Sequence, residues 1–139
     1  MRYSKLGPFD HVSRLTLGGG GLGQGWGETS DAEAVATVHA ALSAGINVID
    51  TAPMYGACES VIATALQGIV PAGVRVTTKC QLGAPSAGAV AAKLERSLDA
   101  SLEAMRLERV DLYLLHSNIC EDDTVYAHRN DQRLSLIHI

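Results

Sequence analysis

The sequence predicts an α/β fold in which parallel strands alternate with helices. Short apolar runs, several rich in β-branched residues, recur along the chain and are separated by stretches with apolar residues at helical spacing. The crossovers between successive runs are long enough to contain a helix, which favours parallel pairing of the strands. An apolar content of 47% in 139 residues is sufficient for one domain with a hydrophobic core.

The first strand and the first helix are predicted on either side of a glycine-rich loop. Leu15–Leu17 is a short apolar run that leads directly into glycines. Ser30 and Glu33 form a capping-box pattern, with Ser30 as the N-cap of a helix. Gly45 supplies the stop signal of that helix. Its apolar positions follow at helical spacing and are Val35, Val38 and Leu42.

Three more strands and two more helices are predicted after Gly45. The strands are Ile46–Asp50, Val74–Thr78 and Val110–Leu115. The helices are one from about Cys58 to Gln67, which buries Ile62 and Leu66 and ends at Gly68 and Pro71, and one with the apolar face Val90, Leu94, Leu98, Leu102 and Met105. Two architectures have this order of elements: an open doubly wound sheet, and a (β/α)₈ barrel. A complete barrel needs about 250 residues, so the chain would contain about the first four β/α units of eight.

Composition and charge exclude several functional classes. The net charge is −4 and no Lys/Arg cluster is present, so we expect no nucleic-acid partner. Neither an apolar signal segment after Met1–Lys5 nor an apolar run approaching the ~20 residues of a membrane span occurs. Cys58, Cys80 and Cys120 form no CxxC pair, so we expect no metal site. Free thiols fit a reducing compartment, and we expect a cytoplasmic protein.

The glycine run at residues 18–23 matches the GxGxxG pattern of a dinucleotide-binding Rossmann fold. Asp50, at the end of the next strand, would then be the ribose-binding acid. The Rossmann pattern requires a helix to begin inside the glycine motif, with its N-terminus facing the pyrophosphate. In this sequence the helix signal appears only at Ser30, which favours a long βα loop of a barrel. A flexible glycine loop without function is a further alternative.

Four polar residues lie at or just after the predicted strand ends: Asp50, Tyr55, Lys79 and His116. In parallel α/β folds these ends form the functional rim. Each residue has a structural alternative: Asp50 as a turn cap, Tyr55 as a packed loop aromatic, Lys79 as a solvated strand end, and His116 as a hydrogen-bonded core histidine. Because independent accidents would not place an acid, a phenol, an ammonium and an imidazole on one rim, the set favours a site.

Carbonyl reduction is the chemistry that suits this set. A ketone that accepts hydride develops alkoxide charge and needs a proton donor. A free phenol has a pKa of ~10, too high for easy proton transfer at neutral pH, and a nearby ammonium favours its phenolate form. Lys79 would act in this way on Tyr55, and Asp50 would hold Lys79 charged and oriented. His116 would hydrogen-bond the substrate oxygen.

Three segments resemble the aldo-keto reductase family in order along the chain. Asp50–Glu59 is similar to the family's DTAxxYGxxE signature, Val76–Lys79 to the strand end that supplies its lysine, and Asp111–His116 to the DLYLLH stretch that carries its histidine. Leu15–Gly18 resembles the first barrel strand. The resemblance implies a (β/α)₈ barrel and NAD(P)H-dependent reduction of an aldehyde or ketone. It also implies that Tyr55 is the proton donor.

The resemblance also implies a cofactor, and it favours NADP over NAD. Asp50 would lie near the nicotinamide ribose, and the backbone at Gly19 and Gly20 would approach the cofactor. Residues 1–118 would form the N-terminal half of the barrel, and residues 119–139 an irregular tail that does not match the family. We expect a small-molecule carbonyl substrate, little turnover without the later barrel loops, and self-association through exposed strand edges. A Rossmann module and a non-catalytic half-barrel stay open as alternatives.

Overall fold

The computed structural model describes residues 1–83 and 85–116 with their side chains, and the backbone of residues 118–120 and 133–135. Eight strands and three α-helices, with one 3₁₀ turn at Ala87–Ala89, make up the described residues. In chain order they are β1 (Tyr3–Leu6), β2 (Phe9–Ser13), β3 (Leu17–Gly18), α1 (Asp31–Ser43), β4 (Val48–Asp50), α2 (Cys58–Leu66), β5 (Arg75–Cys80), α3 (Val90–Met105), β6 (Leu112–Leu115), β7 (Asn118–Cys120) and β8 (Arg133–Ser135).

The central sheet has four strands in the order β3-β4-β5-β6, and every pair is parallel. This confirms the predicted parallel α/β fold. The spatial order of the strands follows their order in the chain, as in a barrel. A doubly wound sheet would instead reverse its strand order at a switch point. The carboxyl ends of β4, β5 and β6 therefore lie side by side at one rim.

Helix α1 confirms the predicted capping box. The Ser30 hydroxyl accepts a hydrogen bond from the Glu33 backbone N–H over 3.3 Å, and the Glu33 carboxylate accepts one from the Ser30 N–H over 3.0 Å. The helix begins at Asp31, and the glycine-rich segment before it consists of turns. Because no helix begins within the glycine run, the chain lacks the geometry of the Rossmann motif.

The core lies between the sheet and the three helices. Ile49 of β4 and Val76 of β5 point away from the rim residues and are fully buried against Val38 of α1, Ile62 of α2 and Met105 of α3. The predicted burial of α2 is confirmed, because all but two residues of that helix are buried. The apolar face predicted for α3 is half-buried, except for Met105 at its end.

An antiparallel hairpin of β1 and β2 precedes the sheet, and the sequence patterns did not predict it. Its turn lies at Gly7 and Pro8, between the paired residues Leu6 and Phe9. Asn47 ties the hairpin to the start of β4: its side-chain oxygen accepts from the Ser13 N–H over 2.7 Å, and its amide donates to the His11 carbonyl over 2.9 Å.

The strand bounds differ from the predicted ones at several ends. The first parallel strand is only Leu17–Gly18, whereas Leu15–Leu17 was predicted. The physical reason is that the Ser13 hydroxyl donates to the Leu15 carbonyl over 2.6 Å. This local turn engages the carbonyl oxygen that Leu15 would otherwise offer to a neighbouring strand. Strand β5 extends to Cys80, two residues beyond the prediction, because its pairing with β6 continues to Leu115.

The predicted irregular tail, residues 119–139, is described only in part. The backbone of β7 pairs in parallel with that of β8, from Asn118↔Arg133 to Cys120↔Ser135. At these two stretches ladder hydrogen bonds satisfy the backbone. The division of the chain at residue 118 stays a prediction. The remaining tail lies outside the described residues. Among the helices described, none has the length and apolar character needed to span a bilayer.

The glycine loop after β3 packs tightly on the loop after β4. A Cβ atom at Gly23 would collide with the carbonyl oxygen of Tyr55, and one at Gly56 would collide with the Gly23 carbonyl. Gly56 also has a φ of +56°, in the left-handed region that favours glycine. The two loops therefore meet backbone to backbone, and this contact holds the segment that carries Tyr55.

We expect Gly23→Ala to lower the free energy of unfolding by about 1–3 kcal/mol, because the added methyl group forces the two loops apart. Gly21→Ala is the matched control, since a Cβ at Gly21 meets nothing within 4 Å. Urea unfolding followed by circular dichroism measures both variants. Equal stability of the two alanine variants would contradict the packing described for Gly23.

Candidate active site

Neighbouring strand ends bring the four predicted rim residues to one place. Asp50 is the last residue of β4 and pairs in register with Thr77 of β5. Lys79 follows two residues later on β5, on the same face of the sheet. His116 comes directly after β6, where its N–H donates to the Cys80 carbonyl over 2.7 Å. The parallel register therefore sets the positions of Asp50, Lys79 and His116 along the strand direction.

An ion pair between Asp50 and Lys79 lies at the centre of this rim. Lys79 Nζ is 2.6 Å from Asp50 Oδ1, and it also donates to the carbonyl oxygen of Thr51 over 3.1 Å. The Lys79 side chain is only 12% exposed and that of Asp50 29%. Because the pair is partly shielded from water, its attraction exceeds that of an ordinary surface salt bridge.

Tyr55 contacts both the ammonium of Lys79 and the imidazole of His116. Lys79 Nζ is 4.6 Å from the centre of the Tyr55 ring, within the range of a cation–π contact. The rings of Tyr55 and His116 meet edge to face, with centroids 5.3 Å apart. The four residues predicted from the strand ends thus form one series of contacts, from Asp50 to Lys79, then to Tyr55 and to His116.

The environment of His116 favours the uncharged imidazole. Burial lowers the pKa of His116 below its ordinary value of 6.5, and the Lys79 ammonium lowers it further, while Asp50 acts in the opposite direction. Within the described part of the chain, His116 Nδ1 is buried and has no hydrogen-bond partner. An imidazole held neutral at this rim can donate one N–H bond and accept another.

Of the predicted cofactor-binding glycines, Gly19 lies beside Asp50 and Gly20 lies beside Trp26. A Cβ at Gly19 would come within 2.5 Å of both the Asp50 carbonyl oxygen and Cys58 Sγ, and one at Gly20 would press on the ring of Trp26. Packing within the protein therefore explains glycine at position 19, whereas the contact at Gly20 is with the exposed Trp26 side chain. Their role toward a cofactor stays a prediction.

Two contacts at the site were missed by sequence reasoning. The Thr77 hydroxyl donates to Asp50 Oδ1 over 3.0 Å, on the rim side of β5. On the opposite side, the Thr78 hydroxyl donates to the buried carboxylate of Glu59, at the start of α2, over 2.8 Å. Strand alternation could have placed Thr77 and Lys79 on one face. Nothing local indicated the partner of Glu59.

The described residues contain no cluster of three or more His, Cys, Asp or Glu side chains that could hold a metal ion. Cys58 and Cys80 are free and buried. Burial is the main cause that raises the pKa of Cys58 to about 11, so its thiol is held protonated and unreactive. Cys120, the third predicted free thiol, has a side chain outside the described residues.

Comparison with known proteins gives consistent sequence matches. A family model described as the aldo/keto reductase family matches residues 14–135, beyond the boundary predicted at residue 118. An aldo-keto reductase of Mycolicibacterium smegmatis is 45% identical over 96 residues, which cover 68% of this chain and 32% of that protein. L-galactose dehydrogenase of Arabidopsis thaliana is 35% identical over 109 residues, which cover 76% of this chain and 34% of the relative.

Solved structures agree with these sequence matches. An aldo-keto reductase from Bacillus halodurans superposes with a TM-score of 0.70 at 27% identity, covering 90% of this chain and 43% of the other. One from Klebsiella pneumoniae, solved with NADPH, superposes with a TM-score of 0.68 at 26% identity, covering 84% of this chain and 39% of the other.

The chain spans about a third of the length of the curated relatives that it matches. The predicted fold class is confirmed: the parallel four-stranded sheet corresponds to part of a (β/α)₈ barrel. The match of the family model over most of the chain, together with these relatives, shows that the chain belongs to the aldo/keto reductase family.

Proposed function

We propose that this chain carries the catalytic polar residues of an NAD(P)H-dependent reductase that converts an aldehyde or ketone to an alcohol. The observation that supports this most directly is the position of Tyr55, with a partly buried ammonium over its ring and an imidazole in edge-to-face contact with it. This arrangement offers a proton donor, a neighbouring positive charge and a hydrogen-bonding group at one rim. Together these three functions can protonate a carbonyl oxygen and stabilise the charge that develops on it as hydride is added.

In the proposed reaction, Tyr55 Oη gives its proton to the carbonyl oxygen as charge develops there. Lys79 Nζ stabilises the phenolate that remains, because a cation near the ring lowers the energy of the negative charge. Asp50 and the Thr51 carbonyl hold the ammonium in place. His116, with an uncharged imidazole, orients the substrate through a hydrogen bond to the carbonyl oxygen.

The residues at the rim fit a nicotinamide cofactor. Lys79 and Thr77 both bond to Oδ1 of Asp50, so neither of these bonds uses Oδ2, and this oxygen can accept from a ribose hydroxyl. The Gly19–Gly20 backbone is the neighbouring surface that we propose for cofactor contact. The bound nicotinamide would supply the hydride. We propose NADPH rather than NADH, and the relative from Klebsiella pneumoniae solved with NADPH supports this preference.

Tyr55→Phe tests the proposed proton donor. We expect it to lower kcat for small aldehydes by roughly a hundredfold or more, because the general acid is lost, while NADPH binding is retained. The assay follows NADPH absorbance with the chain and with a chimera, in which residues 14–116 replace the matching segment of the Mycolicibacterium smegmatis relative. Tyr113→Phe is the matched control, since its hydroxyl bonds to the Leu94 carbonyl.

An active chimera that loses reduction only with Tyr55→Phe supports the proposal. A chimera that binds NADPH normally but retains full activity with Tyr55→Phe removes Tyr55 from its role. A chimera that folds and binds NADPH but reduces no aldehyde or ketone contradicts the proposed reaction itself.

His116 gives stability a pH dependence of defined sign. Its pKa is lowered in the folded chain, so just below the ordinary value of 6.5 the unfolded chain binds more protons. The free energy of unfolding therefore falls as the pH decreases through that value, and the loss is complete below the folded pKa. We expect His116→Gln to reduce this fall in urea titrations carried out at a series of pH values. Equal pH dependence of wild type and His116→Gln would exclude this contribution.

We also propose that the chain associates with itself through its sheet edges. Leu114 and Leu115 of the edge strand β6 are 45% and 38% exposed. Such an edge offers unpaired backbone groups and apolar surface.

We expect dimers or larger species in sedimentation velocity, and fewer of them with Leu115→Lys. Ile69→Lys is the control, because this exposed residue follows α2, away from the edge strands. A stable wild-type monomer would refute self-association.

The two described thiols are free, and we infer from them a reducing compartment such as the cytoplasm.

A further inference from the structure

We infer that Thr77 is a positioning residue: its hydroxyl fixes the Asp50 carboxylate in the orientation that holds the Lys79 ammonium against Tyr55. The catalytic meaning of this role rests on the proposed function. The contacts themselves belong to the described structure and can be tested without turnover.

One carboxylate oxygen receives both donors. Thr77 Oγ1 donates to Asp50 Oδ1 over 3.0 Å, and Lys79 Nζ donates to the same oxygen over 2.6 Å. Thr77 and Lys79 are two residues apart on β5, so their side chains leave the same face of the strand. The backbone adds a further link, because the Thr51 N–H donates to the Thr77 carbonyl over 3.0 Å.

The second donor restricts a torsion that an ion pair leaves free. The last side-chain torsion of aspartate has a broad distribution of values. An ammonium is a compact charge that can pair with a carboxylate from many directions, so the ion pair alone does not fix this torsion. Thr77 has a β-branched side chain with a stiff first torsion, and the residue is only 4% exposed. If the Asp50 carboxylate turned away, the buried Thr77 hydroxyl would be left without a hydrogen-bond acceptor. Water could hardly replace that acceptor, so the turn would cost free energy.

A purely structural role for Thr77 makes a different prediction. In that case the hydroxyl only satisfies a buried polar group, and its removal would loosen the whole domain. A positioning role instead predicts that Lys79 becomes more mobile and more accessible while the core stays closed. The reactivity of the Lys79 amine, compared with that of a buried thiol, separates the two roles.

Acylation of lysines with a small amine-reactive reagent, followed by mass spectrometry, measures this on the intact chain. The three lysines are Lys5, Lys79 and Lys93, so two of them serve as internal standards. We expect Thr77→Val to raise the Lys79 rate about two- to tenfold, because one hydrogen bond that orders its partner is lost. Thr77→Ser keeps the hydroxyl and should restore a rate near that of the wild type.

Alkylation of the buried Cys58 thiol is the control for general loosening. A Lys79 rate that rises while Cys58 stays protected supports positioning. An unchanged Lys79 rate in Thr77→Val, or a rise matched by Cys58 alkylation, overturns it. If Thr77→Val does not fold, proton NMR of the wild-type chain decides. A slowly exchanging Thr77 hydroxyl proton near the Lys79 ammonium is expected, and exchange as fast as that of an exposed hydroxyl overturns the inference.

These outcomes are independent of reduction. Failure of the chimera to reduce carbonyls would contradict the proposed function, but it would not affect the conclusion that the acylation rates give about Thr77. Unchanged Lys79 acylation in Thr77→Val would remove the positioning role and leave the role of Tyr55 to the kinetic test.

Discussion

The ion pair between Asp50 and Lys79 is the interaction around which the rim of the four-stranded parallel sheet is organised. It joins the ends of β4 and β5, and its ammonium faces the ring of Tyr55. Removing two charges partly from water is expensive, and such a pair is favourable only when further hydrogen bonds complete it. Here the Thr51 carbonyl and the Thr77 hydroxyl supply those bonds, one to each partner.

The parallel sheet makes this arrangement possible because register determines which side chains meet. Asp50 pairs with Thr77, and Lys79 lies two residues further along β5 on the same face, so the lysine side chain meets the Asp50 carboxylate of the neighbouring strand. A shift by one residue would turn Lys79 into the helix-covered layer, away from Asp50 and Tyr55. The core formed by Ile49 and Val76 opposes such a shift, because both are fully buried on the other face.

The loops complete the site by backbone contact more than by side chains. Tyr55 lies in the segment after β4, and that segment is held by the close approach of Gly23 and Gly56. Glu59, at the start of α2, is tied to Thr78 on the far side of β5. The strand that carries Lys79 is therefore held on its inner face by Asp50 and on its outer face by the helix that follows Tyr55.

Local patterns in the sequence were enough for the alternation of strands and helices, for the capping box of Ser30 and Glu33, and for the placement of the rim residues. These features depend on neighbours within a few positions, through apolar periodicity and cap chemistry. Family resemblance in three motifs then indicated the barrel and the reaction.

Other features depend on residues that meet only after folding. Asn47 anchors the hairpin through Ser13, 34 positions away, and Thr77 reaches Asp50 across 27 positions. The anchoring of the hairpin and the second donor to Asp50 were therefore decided by tertiary contacts. Only the packed structure shows which hydrogen-bonding group finds which partner, because a single sequence lists donors and acceptors without their distances.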